Sequence, residues 1–155
     1  MVEFNEEQPP PSAEEMTQLL WAHADGTAEH ILKWLGGPLR PGNLARLLSE
    51  EGGLRYTTEV LYSESGLSSH QFAQPHFYEH DGQRRCMLHI HPRYRSYPDA
   101  VPFLVAYMAA SIMYGDAADS ELCEHFGAML VGMGREKFYA KVCELADWRP
   151  DEGGG

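Results

Sequence analysis

The chain has 155 residues, 43% of them hydrophobic and 23% charged, the size and composition of one globular domain, which excludes collagen-like, coiled-coil and wholly disordered chains. Its 23 acids outnumber its 12 bases, for a formal net charge of −11. Affinity for phosphate backbones comes from Lys and Arg displacing counterions, so nucleic acid is disfavoured as a partner and a basic protein is favoured.

Residues 1–12 include Glu6-Glu7-Gln8-Pro9-Pro10-Pro11, an acidic, proline-rich run that buries little surface and should form a mobile arm. No basic segment followed by an apolar core marks the amino terminus as a secretory signal, and the three cysteines, Cys86, Cys123 and Cys143, form no C-x-x-C. A reducing, cytoplasmic setting is the expectation. Ser12 and Glu15 have the spacing of a capping box, with Met16, Leu19 and Leu20 following at helical intervals; this predicts a helix to about Ala24. Asp25-Gly26 reads as a turn, and Thr27 as the cap of a second short helix carrying Ile31, Leu32, Trp34 and Leu35 as far as Gly36-Gly37-Pro38. A third short helix is expected over residues 43–49, stopped by Gly52-Gly53.

The apolar period then shortens to two: Tyr56, Thr58, Val60 and Tyr62 share one face of a strand. Residues 63–69 are rich in Ser and Gly and read as a loop. Beyond it Asp81-Gly82 separates residues 71–80 from 83–91, a strong hairpin signal because both turn residues tolerate positive φ. Three antiparallel strands are the expectation. Residues 92–98 connect them to an apolar helix over 100–114, capped by Asp99, ended by Gly115, and shorter than the roughly 20 residues of a membrane span. Asp119 or Ser120 should cap a helix carrying Leu122, Phe126, Met129, Leu130 and Met133, and a last helix should carry Phe138, Val142 and Leu145, with Trp148 closing the core. Helices, three strands and three further helices, without βαβ alternation, make an α+β chain, read as one domain over 13–149 with a flexible tail at 150–155.

A two-residue turn pairs His80 with Gln83, Tyr78 with Arg85, His76 with Met87 and Gln74 with His89. One face of the hairpin is then apolar, with Ala73, Pro75, Phe77, Cys86, Leu88 and Ile90. The other carries His76, Tyr78, His89 and His91. An H-x-H on one strand with a third imidazole across the ladder has the donor set of a catalytic zinc site, where three nitrogens hold the ion and leave a position for water. His76, His89 and His91 are therefore the candidate metal ligands.

The same region offers a second possibility: His89, His91, Arg93, Tyr94, Arg95 and Tyr97 form a cationic, aromatic lip, in which Arg93 and Arg95, with Tyr78 and Tyr97 beside them, hold a carboxylate or phosphate. The rival for these arginines is ion pairing with the acidic helices. Cys123 and His125 are too far apart around a helix to bond directly, and Cys86 and Cys143 read as core. Met108, Met113, Met129 and Met133 suit either core filling or an adaptable groove, and a helical seam leaves homo-oligomerisation open. The leading expectation is a small acidic binding or accessory protein acting through a protein or small-ligand surface. Its alternative is a metal-dependent hydrolase built on the three histidines, with the arginines holding an anionic substrate.

Overall fold

A computed structural model describes residues 9–49 and 53–150 of the chain. Most of the expected arm and tail, and Gly52 of the expected helix stop, lie outside the described residues.

Helix α1 (Ala13–Leu35) begins as its sequence requires: the Ser12 hydroxyl accepts from the Glu15 N–H and the Glu15 carboxylate accepts from the Ser12 N–H, each at 3.1 Å. It does not stop at Ala24. Asp25 and Gly26 lie within one continuous helix, which corrects the turn expected there. The reason is the stripe Ala24, Ala28, Ile31 and Leu35, buried at 4-3-4 spacing along both halves. A break at Gly26 would rotate the second half of that stripe out of the core, a loss larger than the roughly 1 kcal/mol that glycine costs a helix interior. Asp25 instead faces the neighbouring helix. The chain leaves α1 at Gly36 and passes through a 3-10 turn at Pro41–Asn43 into the short α2 (Leu44–Leu48), which ends at Ser49.

The strands are β1 (Thr58–Tyr62), β2 (Ala73–His80) and β3 (Gln83–Ile90). Asp81 and Gly82 make the hairpin turn with φ of 52° and 75°, and the ladder pairs His80 with Gln83, Tyr78 with Arg85, His76 with Met87 and Gln74 with His89, in the expected register. The order across the sheet is β1-β3-β2, with β1 parallel to β3. The sheet is thus mixed, which corrects the purely antiparallel expectation. Pro75 supplies part of the cause: lacking an N–H, it is tolerated on an edge strand and would forfeit a ladder bond in a central one. β3, whose Cys86, Leu88 and Ile90 are fully buried, takes the centre, where both of its edges are paired.

The apolar sheet face packs on α3 (Val101–Tyr114), a helix buried around most of its circumference, with Leu104, Val105, Ala106 and Ala109 inaccessible to solvent. α3 starts from a 3-10 turn at Pro98–Ala100, and Asp99 makes no capping bond to it, contrary to expectation. The apolar stretch Pro98–Ala117 is long enough by length and composition to cross a membrane, but most of its apolar window, 61%, is buried inside this fold. On its far side lie α4 (Ser120–Val131), capped by Asp119 accepting from the Leu122 N–H at 2.9 Å, and α5 (Arg135–Asp147), which buries Phe138, Val142 and Leu145. α1 packs on α4, where the Asp25 carboxylate bonds His125 Nε2 at 2.5 Å and Trp21 stacks on the imidazole. The four methionines of α3, α4 and the following turn pack against the core. Cys86 and Cys123 are buried, whereas Cys143 is exposed, correcting its assignment to the core.

Candidate ligand-binding crevice at the sheet crossover

Because β3 lies between β1 and β2, the connection over residues 63–72 must step across the end of β3. Two strand spacings amount to about 10 Å, well within its reach. The first part is tightened by serines: the Ser63 hydroxyl lies 2.7 Å from the Ser65 hydroxyl and accepts from the Ser65 N–H at 3.1 Å. Gln71 braces the second part, accepting from the Ser68 N–H and donating to Gln74. At its middle, Gly66 lies on the outer face of the sheet so closely that a Cβ would stand 2.6 Å from the His89 ring and 2.7 Å from His76 Nε2. Only glycine fits there without a shift.

This crossing decides how the histidines are used. His76 and His89 face each other with ring centroids 4.5 Å apart, and His76 Nε2 donates to the Gly66 carbonyl at 2.9 Å. His89 Nδ1 is buried without a hydrogen-bond partner. Burial, and then the neighbouring His76, lower the His89 pKa. His91 turns elsewhere, since β3 has ended: its Nδ1 accepts from the Arg93 N–H at 3.1 Å, capping a 3-10 turn at Pro92–Ser96, and its Nε2 lies 3.3 Å from Glu64. Burial and the Arg93 charge lower its pKa against the opposing pull of Glu64. Two of the three candidate imidazoles therefore meet, and the third pairs with a carboxylate. Among the described residues, no group of three His, Cys, Asp or Glu stands close enough to hold a metal ion.

The arginines of the lip also part company. Arg95 is exposed and lies over the Tyr62 ring at 5.4 Å, its guanidinium 3.5 Å from the Tyr62 carbonyl. Tyr97 packs edge-on against Trp148, and Tyr78 stays half-buried opposite Arg85 in the ladder. Tyr94, expected on the lip, is fully buried and donates to the Leu145 carbonyl at 2.5 Å. An aromatic body with one polar tip is well satisfied at a helix end, which explains the correction. Arg93 Nη2 donates to the Ala146 carbonyl at 2.8 Å and to the Tyr94 hydroxyl at 3.0 Å. Arg149 Nη1 donates to the same Ala146 carbonyl at 3.1 Å and to the Trp148 carbonyl at 2.8 Å. The two guanidiniums thus converge on one oxygen at the negative end of α5.

Two adjoining crevices, of about 240 and 220 Å³, lie between this helix end and the crossover, and Arg93, Arg149 and Ser69 line both. Glu64, Leu67, Ser68 and His91 complete the first, and His70, Gln71 and Asp147 belong to the second. Among the described residues, neither Arg93 nor Arg149 pairs with a carboxylate. With Arg93 Nη2 and Arg149 Nη1 bonded to neutral oxygens, the guanidiniums keep their full charge while their positions are set, and a carboxylate or phosphate entering the crevice would meet the remaining terminal donors and two serine hydroxyls, with the Glu64 and Asp147 carboxylates at the edges. Arg149 was invisible as a partner of Arg93 in the sequence, where the two are separated by all three C-terminal helices. A repeated preference for the end of α5 is a tertiary property and leaves no local motif.

Elsewhere, Cys123 faces the Ser111 hydroxyl at 3.5 Å while His125 is taken by Asp25. Burial pushes the Cys123 thiol pKa up and that of Cys86 up to about 11, so neither is a ready thiolate. No protein-family model, no curated protein and no solved structure matches the chain.

Proposed function

We propose that the chain is a binding protein whose crossover crevice takes a small anionic group, a carboxylate or a phosphate. The observation that carries this reading is the convergence of Arg93 and Arg149 on the Ala146 carbonyl at the wall of a crevice shared with Ser69. Two guanidiniums held side by side repel each other, and an anion between them relieves that repulsion while gaining charge-assisted hydrogen bonds. The net charge of −11 argues for a compact anion, because an extended polyanion would meet the acidic remainder of the surface. The same acidic surface favours a basic protein as a second partner. A zinc site on His76, His89 and His91 has less support, since both nitrogens of His91 are engaged by Glu64 and the Arg93 N–H.

Thermal unfolding in phosphate or citrate against chloride, at constant ionic strength, tests the proposal. A ligand of the folded state raises the midpoint with concentration, and Arg149→Gln should weaken the apparent affinity by about 10-fold or more, the worth of one charge-assisted hydrogen bond. Equal midpoints in all anions, or an unchanged response in Arg149→Gln, would overturn it.

A further inference from the structure

The opposite end of the sheet carries a second cationic site of different character. Tyr56, just before β1, and Phe77 of β2 meet edge to face with centroids 5.6 Å apart. Arg84 lies over both rings, 4.9 Å from the Phe77 centroid and 5.9 Å from that of Tyr56, and Arg55 lies 5.2 Å from the Tyr56 centroid. These four residues line a cavity of about 150 Å³ whose remaining wall is the end of α3, with Met113 and Tyr114. The Arg55 N–H donates to Met113 Sδ at 2.9 Å, fixing the approach to β1 against that helix.

The chemistry of this cavity is defined by what its arginines do not do. Among the described residues, neither the Arg55 nor the Arg84 guanidinium pairs with a carboxylate, although Glu79 stands opposite Arg84 in the ladder. Arg93 and Arg149 show what an arginine serving a helix end looks like, with its donors on carbonyl oxygens. Arg55 and Arg84 instead rest on aromatic faces, which bind the cation through its π-facing side and leave the in-plane N–H donors for another acceptor. A cavity of about 150 Å³ has the volume of a benzene-sized ring; its lining is about half polar, from the two arginines, and half apolar, and ring edges and faces are what Tyr56, Phe77 and Tyr114 offer.

We propose that this cavity binds a small aryl carboxylate, its ring among Tyr56, Phe77 and Tyr114 and its carboxylate on Arg55 and Arg84. The site lies at the other end of the sheet from the crossover crevice, shares no lining residue with it, and differs in offering aromatic walls where the crevice is lined mainly by polar side chains. Both the ring and the charge are required: a ring alone leaves the guanidiniums hydrated, and a charge alone leaves the cavity unfilled.

Calorimetric titration with benzoate, benzamide and acetate tests this directly. Benzoate should bind at least about 10-fold more tightly than either analogue, the scale of one charge-assisted contact or one buried ring. The Arg55→Gln/Arg84→Gln double variant should lose about 10-fold or more in benzoate affinity, while Arg149→Gln should leave the preference for benzoate over acetate unchanged and affect only the binding that the two carboxylates share. Both arginines are exposed, so circular dichroism of the double variant should match that of the parent. Phe77→Leu, which keeps both charges and removes one aromatic wall, should weaken benzoate more than acetate. The proposal fails if benzoate and benzamide bind alike, if benzoate does not saturate the protein, or if Arg149→Gln rather than the double variant abolishes binding.

Discussion

Histidine changes charge near neutrality, so the fate of each imidazole in the crossover is a statement about stability. His89 and His91 both have pKa values held below 6.5 in the folded chain, whereas the unfolded chain leaves them at their ordinary value. Between the folded values and 6.5, the unfolded state therefore binds more protons, and stability rises with pH. The contribution is complete above pH 6.5 and is lost as pH falls toward the folded values. Urea unfolding from pH 7.5 down to 5.5 should give a falling midpoint, and His89→Gln and His91→Gln should each flatten the profile. A slope unchanged in both variants would assign it to other groups. The geometry supplies the cause: a proton on His91 Nδ1 would face the Arg93 N–H, and one on His89 Nδ1 would be buried without an acceptor.

At the level of elements, α1 separates a local signal from the tertiary one that overrides it. Asp-Gly is a strong turn dipeptide, yet here it is helical because the residues on either side belong to one buried stripe. The distinction is measurable. A Cβ at Gly26 would meet nothing within 4 Å, so Gly26→Ala should stabilise the protein by about 0.5–1 kcal/mol through helix propensity. Had the dipeptide formed a turn with positive φ at glycine, the same change would destabilise. Chemical denaturation of the two proteins decides between these signs. The hairpin is the converse case. Asp81-Gly82, the alternation of β2 and β3 and the burial of Cys86, Leu88 and Ile90 all specify one register, because a slip by one residue would exchange the two faces.

The arrangement of the whole molecule follows from which strand is central. With β3 paired on both sides, its amides should exchange with deuterium more slowly than those of β1 and β2, as measured by hydrogen exchange with residue resolution. If β2 were central, as in a simple meander, its amides would be the slowest. The same topology creates the candidate site. A connection that must pass over the end of β3 brings Gly66 onto His76 and His89, sets Glu64 beside His91, and forms one wall of a crevice whose other wall is the end of α5.

Local physics was sufficient for the α+β class, the capping box, the hairpin and its register, and the apolar identity of α3, since each depends on residues a few positions apart. It also placed His76 and His89 together on one sheet face, because strand alternation does so whatever the rest of the chain does, and it singled out His91 and Arg93, which line the crevice, from the end of β3 and the connection after it. Strand order, the separation of His91 from the other two imidazoles, the burial of Tyr94 and the meeting of Arg93 with Arg149 were decided only in the tertiary structure. Those outcomes depend on which distant surfaces cover one another, and the free energy that selects among them comes from burial shared by the whole core.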